Sequence, residues 1–549
     1  MSKGINARRR SSSVKTASLL GSAVVAGLAG AFLLSRSLAA DGPPVTDWPS
    51  YNRTLSSERY VPLDQINKAN VAGLKQLCVY DLGLDTSFQT GPIVIGHTLY
   101  GSTEMDTFAI DAGTCQQKWR VHEDIKGALP VNRGVAYLDG QLFRGTQDGR
   151  VFSYDASTGR KLWEGRIADP KKGESVPAAP IAWNGMVFIG NAGGDRYEGR
   201  GRMYALDAKT GKILWETYLV PNDGAPAPNN ERMQALARAS WGNAKGIPVS
   251  GGATWTSYSL DAAKGLLYIP GGNPSPDFLK QMRPGANLFS DSIVVLDANT
   301  GVYRGHYSLV PEDFHDWDVA GAPTLVTTRS GKHVMAATPK DGQLYVYDID
   351  ANKRLYVTPI TKRENAELPL STKPVHFCPG SSGGAEWNGP AYSPDTNLIY
   401  SGAEDWCTTV VVIDSKKPAS VSLGQQWTGS GDGNLFGKKD ANWGGFVNAI
   451  DADTGQVKWR FRTTAPALAG VTPTKGGLVF AGDLGSHAFA FDADGGKVLW
   501  QTELAGAAGG GVISYLVDGK QRVAFVAGTR SPIFPVATAS AKIVVFGLP

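Results

Sequence analysis

Five segments of the chain share one frame, Asp-x-x-[Thr/Gly]-[Gly/Cys]-x-x-x-Trp: Asp111–Trp119, Asp155–Trp163, Asp207–Trp215, Asp451–Trp459 and Asp492–Trp500. Degenerate copies run over Asp297–Tyr307 and Asp348–Tyr356. Where full copies adjoin, they begin 41 to 52 residues apart. Alternating strand-like segments such as RMYAL and HAFAF precede the aspartates. An Asp side chain bonds its own backbone in a tight turn, and a following Gly takes positive φ at no steric cost, so the frame joins two antiparallel strands. The second strand ends on a Trp whose ring packs between neighbouring sheets. Strand–turn–strand units at this period are the blades of a β-propeller.

The seven copies and a weak stretch near residues 400–430 imply eight blades. The final strand, KIVVFGLP, pairs with an N-terminal strand to close the ring. Outside the N-terminus almost no segment keeps a helical period. The expected fold is therefore all-β, an eight-bladed β-propeller with Trp-docking repeats. It forms one domain over residues 41–549, although length alone suggests about three or four domains.

Residues 1–40 read differently. Thr16–Ser35 is uncharged and rich in Ala, Leu, Val and Gly, with basic residues before it and Ala39–Ala40 after it. That layout is a secretory signal, or an N-terminal anchor if it is retained. These 40 residues hold six Lys and Arg and no acid, so the net charge of +4 becomes −2 for the rest. A body without a basic tract gives no support to nucleic-acid binding, and membrane contact is confined to the leader. Export makes the four cysteines disulfide candidates. Three pairings are possible. Cys78–Cys115 and Cys378–Cys407 are favoured, because each pair brackets neighbouring strand segments. The chain contains no Cys-x-x-Cys, which excludes thiol zinc sites and c-type haem attachment.

The repeat, with the segments between its copies, resembles the pyrroloquinoline quinone (PQQ) dehydrogenases, the eight-bladed quinoprotein alcohol dehydrogenases. The closest branch is the polyvinyl-alcohol-dehydrogenase-like one, without its haem domain. The run from Gly251, GGATWTSYSLDAAKGLLYIPGGNPSPDFLKQMRPGANLF, is similar to a family segment in which Trp255 would stack on the quinone and Asn273 would ligate calcium. PEDFHDWDVAGAP carries the family's base, which the resemblance places at Asp318, with Asp316 as the nearby rival. Asp318 would also ligate the metal. The lanthanide-using relatives carry a further Asp where this chain has Ala320, which implies calcium. GNAGGDRYEGRG supplies Gly193 and Gly194 beside the cofactor and Asp195 in place of the family's glutamate ligand, with Glu198 as an alternative. VNRGVAY gives Arg133 and ATPKDGQ gives Lys340, both toward the quinone. ANWGGF brings Asn442 and Trp443 toward it. The family's vicinal cysteines are replaced by Gly127–Ala128, and a threonine near the quinone by Pro177. The resemblance also implies a Cys378–Cys407 bridge.

What the resemblance implies is a periplasmic, PQQ- and calcium-dependent oxidation of an alcohol, secondary or polymeric. Asp318 would act as general base, and electrons would pass to a separate acceptor such as cytochrome c. The rival reading is a non-catalytic propeller scaffold, similar to the outer-membrane assembly factor, which shares the turn-plus-Trp repeat.

Overall fold

The computed structural model describes residues 45–127, 130–222, 224, 230–415 and 421–549. The leader reading falls outside the described residues. Eight four-stranded antiparallel sheets follow one another along the chain. The first comprises Ile93–Ile95, Thr98–Ser102, Asp106–Asp111 and Gln117–His122. The seventh ends at Val498–Glu503. In the eighth, Val512–Val517, Lys520–Ala527 and Lys542–Gly547 come from the C-terminus, and the outermost strand, Lys75–Asp81, comes from the N-terminus. The ring thus closes as expected. Among the described residues the only α-helix is Glu231–Ala239, and no helix is long and apolar enough to cross a membrane.

Each Asp frame is the turn between the third and fourth strands of a blade. Asp155 Oδ1, for example, accepts from the backbone N–H of Ser157 and Thr158 and from the Thr158 hydroxyl, at 2.9 to 3.0 Å. The Gly of the frame takes φ near 70° at Gly159, Gly211, Gly301, Gly455 and Gly496. It also leaves room for the previous blade. A Cβ on Gly301 would fall 2.6 Å from the Trp215 ring, and one on Gly496 the same distance from Trp459. The indole then donates across the seam: Trp119 to Ala156 O, Trp163 to Ala208 O, Trp215 to Ala298 O and Trp459 to Ala493 O, at 2.9 to 3.0 Å. Trp and Gly are therefore two halves of one joint between blades. Trp215→Ala removes a buried ring and a cross-seam hydrogen bond. It is expected to cost about 3–5 kcal/mol, read as a lower thermal midpoint with the β-sheet circular dichroism unchanged at 20 °C below it.

The other four seams depart from this joint: Tyr356 takes the Trp place against Gly455, and Trp500 faces an eighth blade whose last two strands no turn joins. In the fourth blade the Trp position in the register is Gly305, so Tyr307, taken above as the end of the degenerate copy, lies two residues beyond it and packs on Tyr347 instead. At the ring closure Cys78 pairs with Val545 beside the same strand irregularity that flanks Trp119 and Ala109. Cys115 holds the turn's Gly position with φ 61°. The Cys78–Cys115 disulfide therefore stands where a Trp–Gly joint stands elsewhere. The second bridge is Cys378–Cys407.

The stretch near residues 400–430 is not a blade of its own. Leu398–Asp405 is the second strand of the sixth blade and Gly444–Asp451 the third. What lies between is an insertion whose strands Thr408–Val410 and Lys438–Lys439 form a small sheet with Val375–Phe377, from the link between the fifth and sixth blades.

Candidate active site

The innermost strands send their connecting loops to one end of the ring, where they enclose a cavity of about 790 Å³. The short strand Val131–Gly134 carries Arg133. The loop between Met186–Gly190 and Arg202–Asp207 carries Gly193, Gly194 and Asp195. Trp255 precedes Ser259–Asp261, and Asn273 follows Leu266–Pro270. Asp316 and Asp318 lie on the link between the fourth and fifth blades, and Lys340 on the turn after His333–Ala337. All of these residues line the cavity.

Asp318 is its hub. Its Oδ1 accepts from Trp255 Nε1 at 3.2 Å and from the Asn273 backbone N–H at 3.0 Å. Its Oδ2 pairs with Lys340 Nζ at 2.6 Å. Lys340 also lies 3.6 Å from Asp316 Oδ2 and 5.5 Å from the centre of the Trp255 ring. Burial disfavours the Lys340 ammonium, but Asp316 and Asp318 outweigh it and hold the group well above the usual lysine range. Arg133 stands over the Trp255 ring at 4.6 Å and over Trp387 at 5.3 Å, with Nη1 on the Trp255 carbonyl. Burial lowers it to about 10, against the pull of Tyr51, Glu386 and Asp318.

Polar atoms are left over inside this shell. Asn273 Oδ1 and Arg133 Nε are buried without hydrogen-bond partners. Buried polar groups in folded proteins are almost always paired, so both mark places for a ligand. The flat face of Trp255, the two cations and the orphaned amide oxygen fit a planar, carboxylate-bearing quinone with a hard metal ion beside it. The glycines fit as well: Gly193 has φ 107°, and a Cβ there would meet the Gly173 carbonyl at 2.7 Å. A Cβ on Gly127 would lie 2.2 Å from Gln147 Cβ, so a cysteine there would have to displace Gln147. Ala128 falls outside the described residues. Pro177 and Ser175 line the wall.

The other expected residues lie elsewhere. Glu198 is exposed, with its N–H on Ser250 Oγ, and does not line the cavity. Asn442 is exposed; Trp443 packs on Trp406 and Phe534, one layer behind the wall.

Sequence reasoning missed a second group of wall residues. Glu386, Lys439, Ser381 and Ser382 line the cavity, with Glu404 behind them. Lys439 Nζ bonds the hydroxyls of Ser381 and Ser382, and Ser382 donates to Glu404 Oε1. Burial raises Glu386 to about 7 and Glu404 to about 8. No motif signals these residues. Ser381, Ser382 and Glu386 come from the link between the fifth and sixth blades, Glu404 from the second strand of the sixth, and Lys439 from its insertion, so their approach is set by the closed ring. The Glu404 shift has a stability consequence. The fold favours the neutral carboxyl, so stability present below the ordinary value of 4.5 is lost as pH rises toward about 8 at about 1.4 kcal/mol per pH unit. Glu404→Gln is expected to melt like the parent at pH 5 and clearly above it at pH 8.

The exposed part of the lining is mixed, with Lys126 and Asn434 beside the apolar Leu435 and Ile533. Phe436, Phe534 and Trp387 extend the apolar side of the wall.

The family described as "Glucose/ethanol/alcohol dehydrogenase, beta-propeller domain" matches residues 48–367. The chain belongs to the PQQ-dependent, quinoprotein alcohol dehydrogenase family. The quinohemoprotein alcohol dehydrogenase ADH-IIG of Pseudomonas putida is 32% identical over 90% of this chain and 74% of its own length. Its solved structure superposes with a TM-score of 0.83 at 28% identity, covering 92% of this chain and 80% of that one. A lanthanide-dependent methanol dehydrogenase of Methylacidiphilum fumariolicum is 29% identical over 88% of this chain and 84% of its own. A europium-containing methanol dehydrogenase superposes with a TM-score of 0.80 at 27% identity, covering 92% and 99%. The outer membrane protein assembly factor BamB family also matches, over residues 444–535. That segment lies in the sixth to eighth blades of this quinoprotein fold and contains none of the residues around Asp318.

Proposed function

We propose that the chain is an exported, periplasmic dehydrogenase that oxidises an alcohol to a carbonyl with PQQ and a metal ion. The observation that carries this reading is the convergence of Trp255, Arg133, Lys340 and Asp318 on one cavity containing unpaired polar atoms. Trp255, Arg133, Lys340, Gly193 and Gly194 would hold PQQ, and Asp195, Asn273 and Asp318 the metal; the resemblance implies calcium. Bound PQQ supplies the acceptor for hydride leaving the alcohol carbon, and the ion supplies a Lewis acid at the quinone carbonyl.

The chain's own residues do the rest. Asp318 takes the hydroxyl proton as hydride departs, held in place on both oxygens by Trp255, Asn273 and Lys340. Arg133 and Lys340 stabilise the negative charge that develops. The apolar side of the wall, Leu435, Phe436, Ile533, Phe534 and Trp387, favours an alcohol with a hydrophobic body, secondary or polymeric. Electrons leave to a separate acceptor such as cytochrome c. The two disulfides accord with an oxidising compartment.

The match of residues 444–535 to the assembly-factor family favours a second reading, a propeller scaffold without catalysis. Reconstitution separates the two. Purified apoprotein mixed with PQQ and calcium is expected to take up the quinone, followed by its absorbance, and to reduce a dye with secondary or polymeric alcohols. Failure to bind PQQ at micromolar concentration with any hard metal ion overturns the dehydrogenase reading and leaves the scaffold.

A further inference from the structure

The resemblance gives the metal one short carboxylate, Asp195, with Asn273 and Asp318. The structure brings two more carboxylates to the same spot. Single oxygens of Asp195, Asp277 and Asp316 lie within 4.8 Å of one another. Two oxygens on one hard ion at about 2.3–2.6 Å are at most about 5 Å apart, so this spacing suits a shared ion. Asp277 is fully buried. Its Oδ1 accepts from Ser275 Oγ at 2.9 Å, and its Oδ2 has no partner. Independently of the acids, Asn273 is 1% exposed and lines the same cavity as Asp195 and Asp316, with Oδ1 unpaired.

We propose that Asp277 and Asp316 are metal ligands, so that the ion sits in a cage of Asp195, Asp277 and Asp316 completed by the Asn273 amide oxygen. The proposal rests on the metal-dependent reading of the site. Asp195 is one methylene shorter than the glutamate of the family, and Asp277 and Asp316 supply the oxygens it cannot bring. As side chains alone, three carboxylates this close repel one another, and Lys340 Nζ, 3.6 Å from Asp316, offsets only part of this. A cation at their centre removes that conflict. The carboxylate missing at Ala320 is therefore more than replaced. Each added carboxylate favours a trivalent ion of calcium's size over calcium itself, because attraction scales with ionic charge.

The test is a titration of the full chain loaded with PQQ and stripped of metal. Ca²⁺ and Tb³⁺ are added separately, with Tb³⁺ followed by luminescence excited through the tryptophans. One Tb³⁺ per chain is expected, bound more tightly than Ca²⁺. Asp277→Asn and Asp316→Asn are each expected to weaken Tb³⁺ at least tenfold and Ca²⁺ by less. Wild-type Tb³⁺ affinity in both variants, with loss in Asn273→Ala, overturns the proposal and returns the ion to the Asn273–Asp318 set. Anomalous scattering from Tb³⁺ in wild-type crystals decides the point without variants: density away from Asp277 and Asp316 overturns it. If the wild type binds neither ion, the metal reading itself falls. The quinone absorbance then reports whether PQQ binding survives.

Discussion

Asp318→Asn is expected to lower kcat/KM for alcohols by about 10³-fold, within the range for loss of a general base, while PQQ binding changes only a few-fold. The substitution keeps the shape of the side chain. Its oxygen still accepts from Trp255 Nε1 and the Asn273 N–H, so the floor of the cavity stays in place. What disappears is the group able to take the hydroxyl proton and the partner of Lys340 Nζ at 2.6 Å. Dye-linked turnover measures the first effect and quinone absorbance the second. Asp316→Asn is the necessary companion, because Asp316 lies two residues away on the same cavity wall. A loss below tenfold in Asp318→Asn, with a large loss in Asp316→Asn, moves the base to Asp316.

The ring was legible because its punctuation is local. An Asp turn needs only five residues to state itself, and Asp155 and its Thr158 show how little context it uses. The eighth blade had no such signal for a physical reason. Its last hairpin is divided between the chain ends, Lys542–Gly547 and Lys75–Asp81, so no turn joins them. The sixth blade misled because its second and third strands, Leu398–Asp405 and Gly444–Asp451, are separated by an insertion that resembles a degenerate repeat. The site divides in the same way. Trp255, Arg133, Asn273, Asp318 and Lys340 stand in recognisable segments, and the fold brings all five together. Asp277 follows a Pro in a loop, and Glu404 lies within a strand that reads as blade core. Nothing in their neighbours along the chain announces the cavity, because burial and approach to other loops are properties of the closed ring.

Lys340→Met tests how the charges of this cavity depend on one another. Lys340 is 7% exposed, and its ammonium serves both Asp318 and Asp316. Breaking a buried pair by removing one partner costs about 3–5 kcal/mol, because the remaining charge is stranded. The variant is therefore expected to melt lower than the parent at neutral pH. The loss should shrink as pH falls, because Asp316, already held well above the usual carboxylate range by burial, is then neutral and no longer stranded. Catalysis suffers separately. Without a cation at 2.6 Å, the carboxylate form that accepts the proton is disfavoured. The acid limb of kcat/KM is then expected to move to higher pH, and the plateau to fall about 10²–10³-fold as charge stabilisation is lost. Lys340→Arg keeps the charge but spreads it over a longer, planar group. Its acid limb should stay near that of the parent while the plateau falls. A purely structural lysine would lower stability in Lys340→Met and leave the limb where it was, and that result would remove Lys340 from the chemistry.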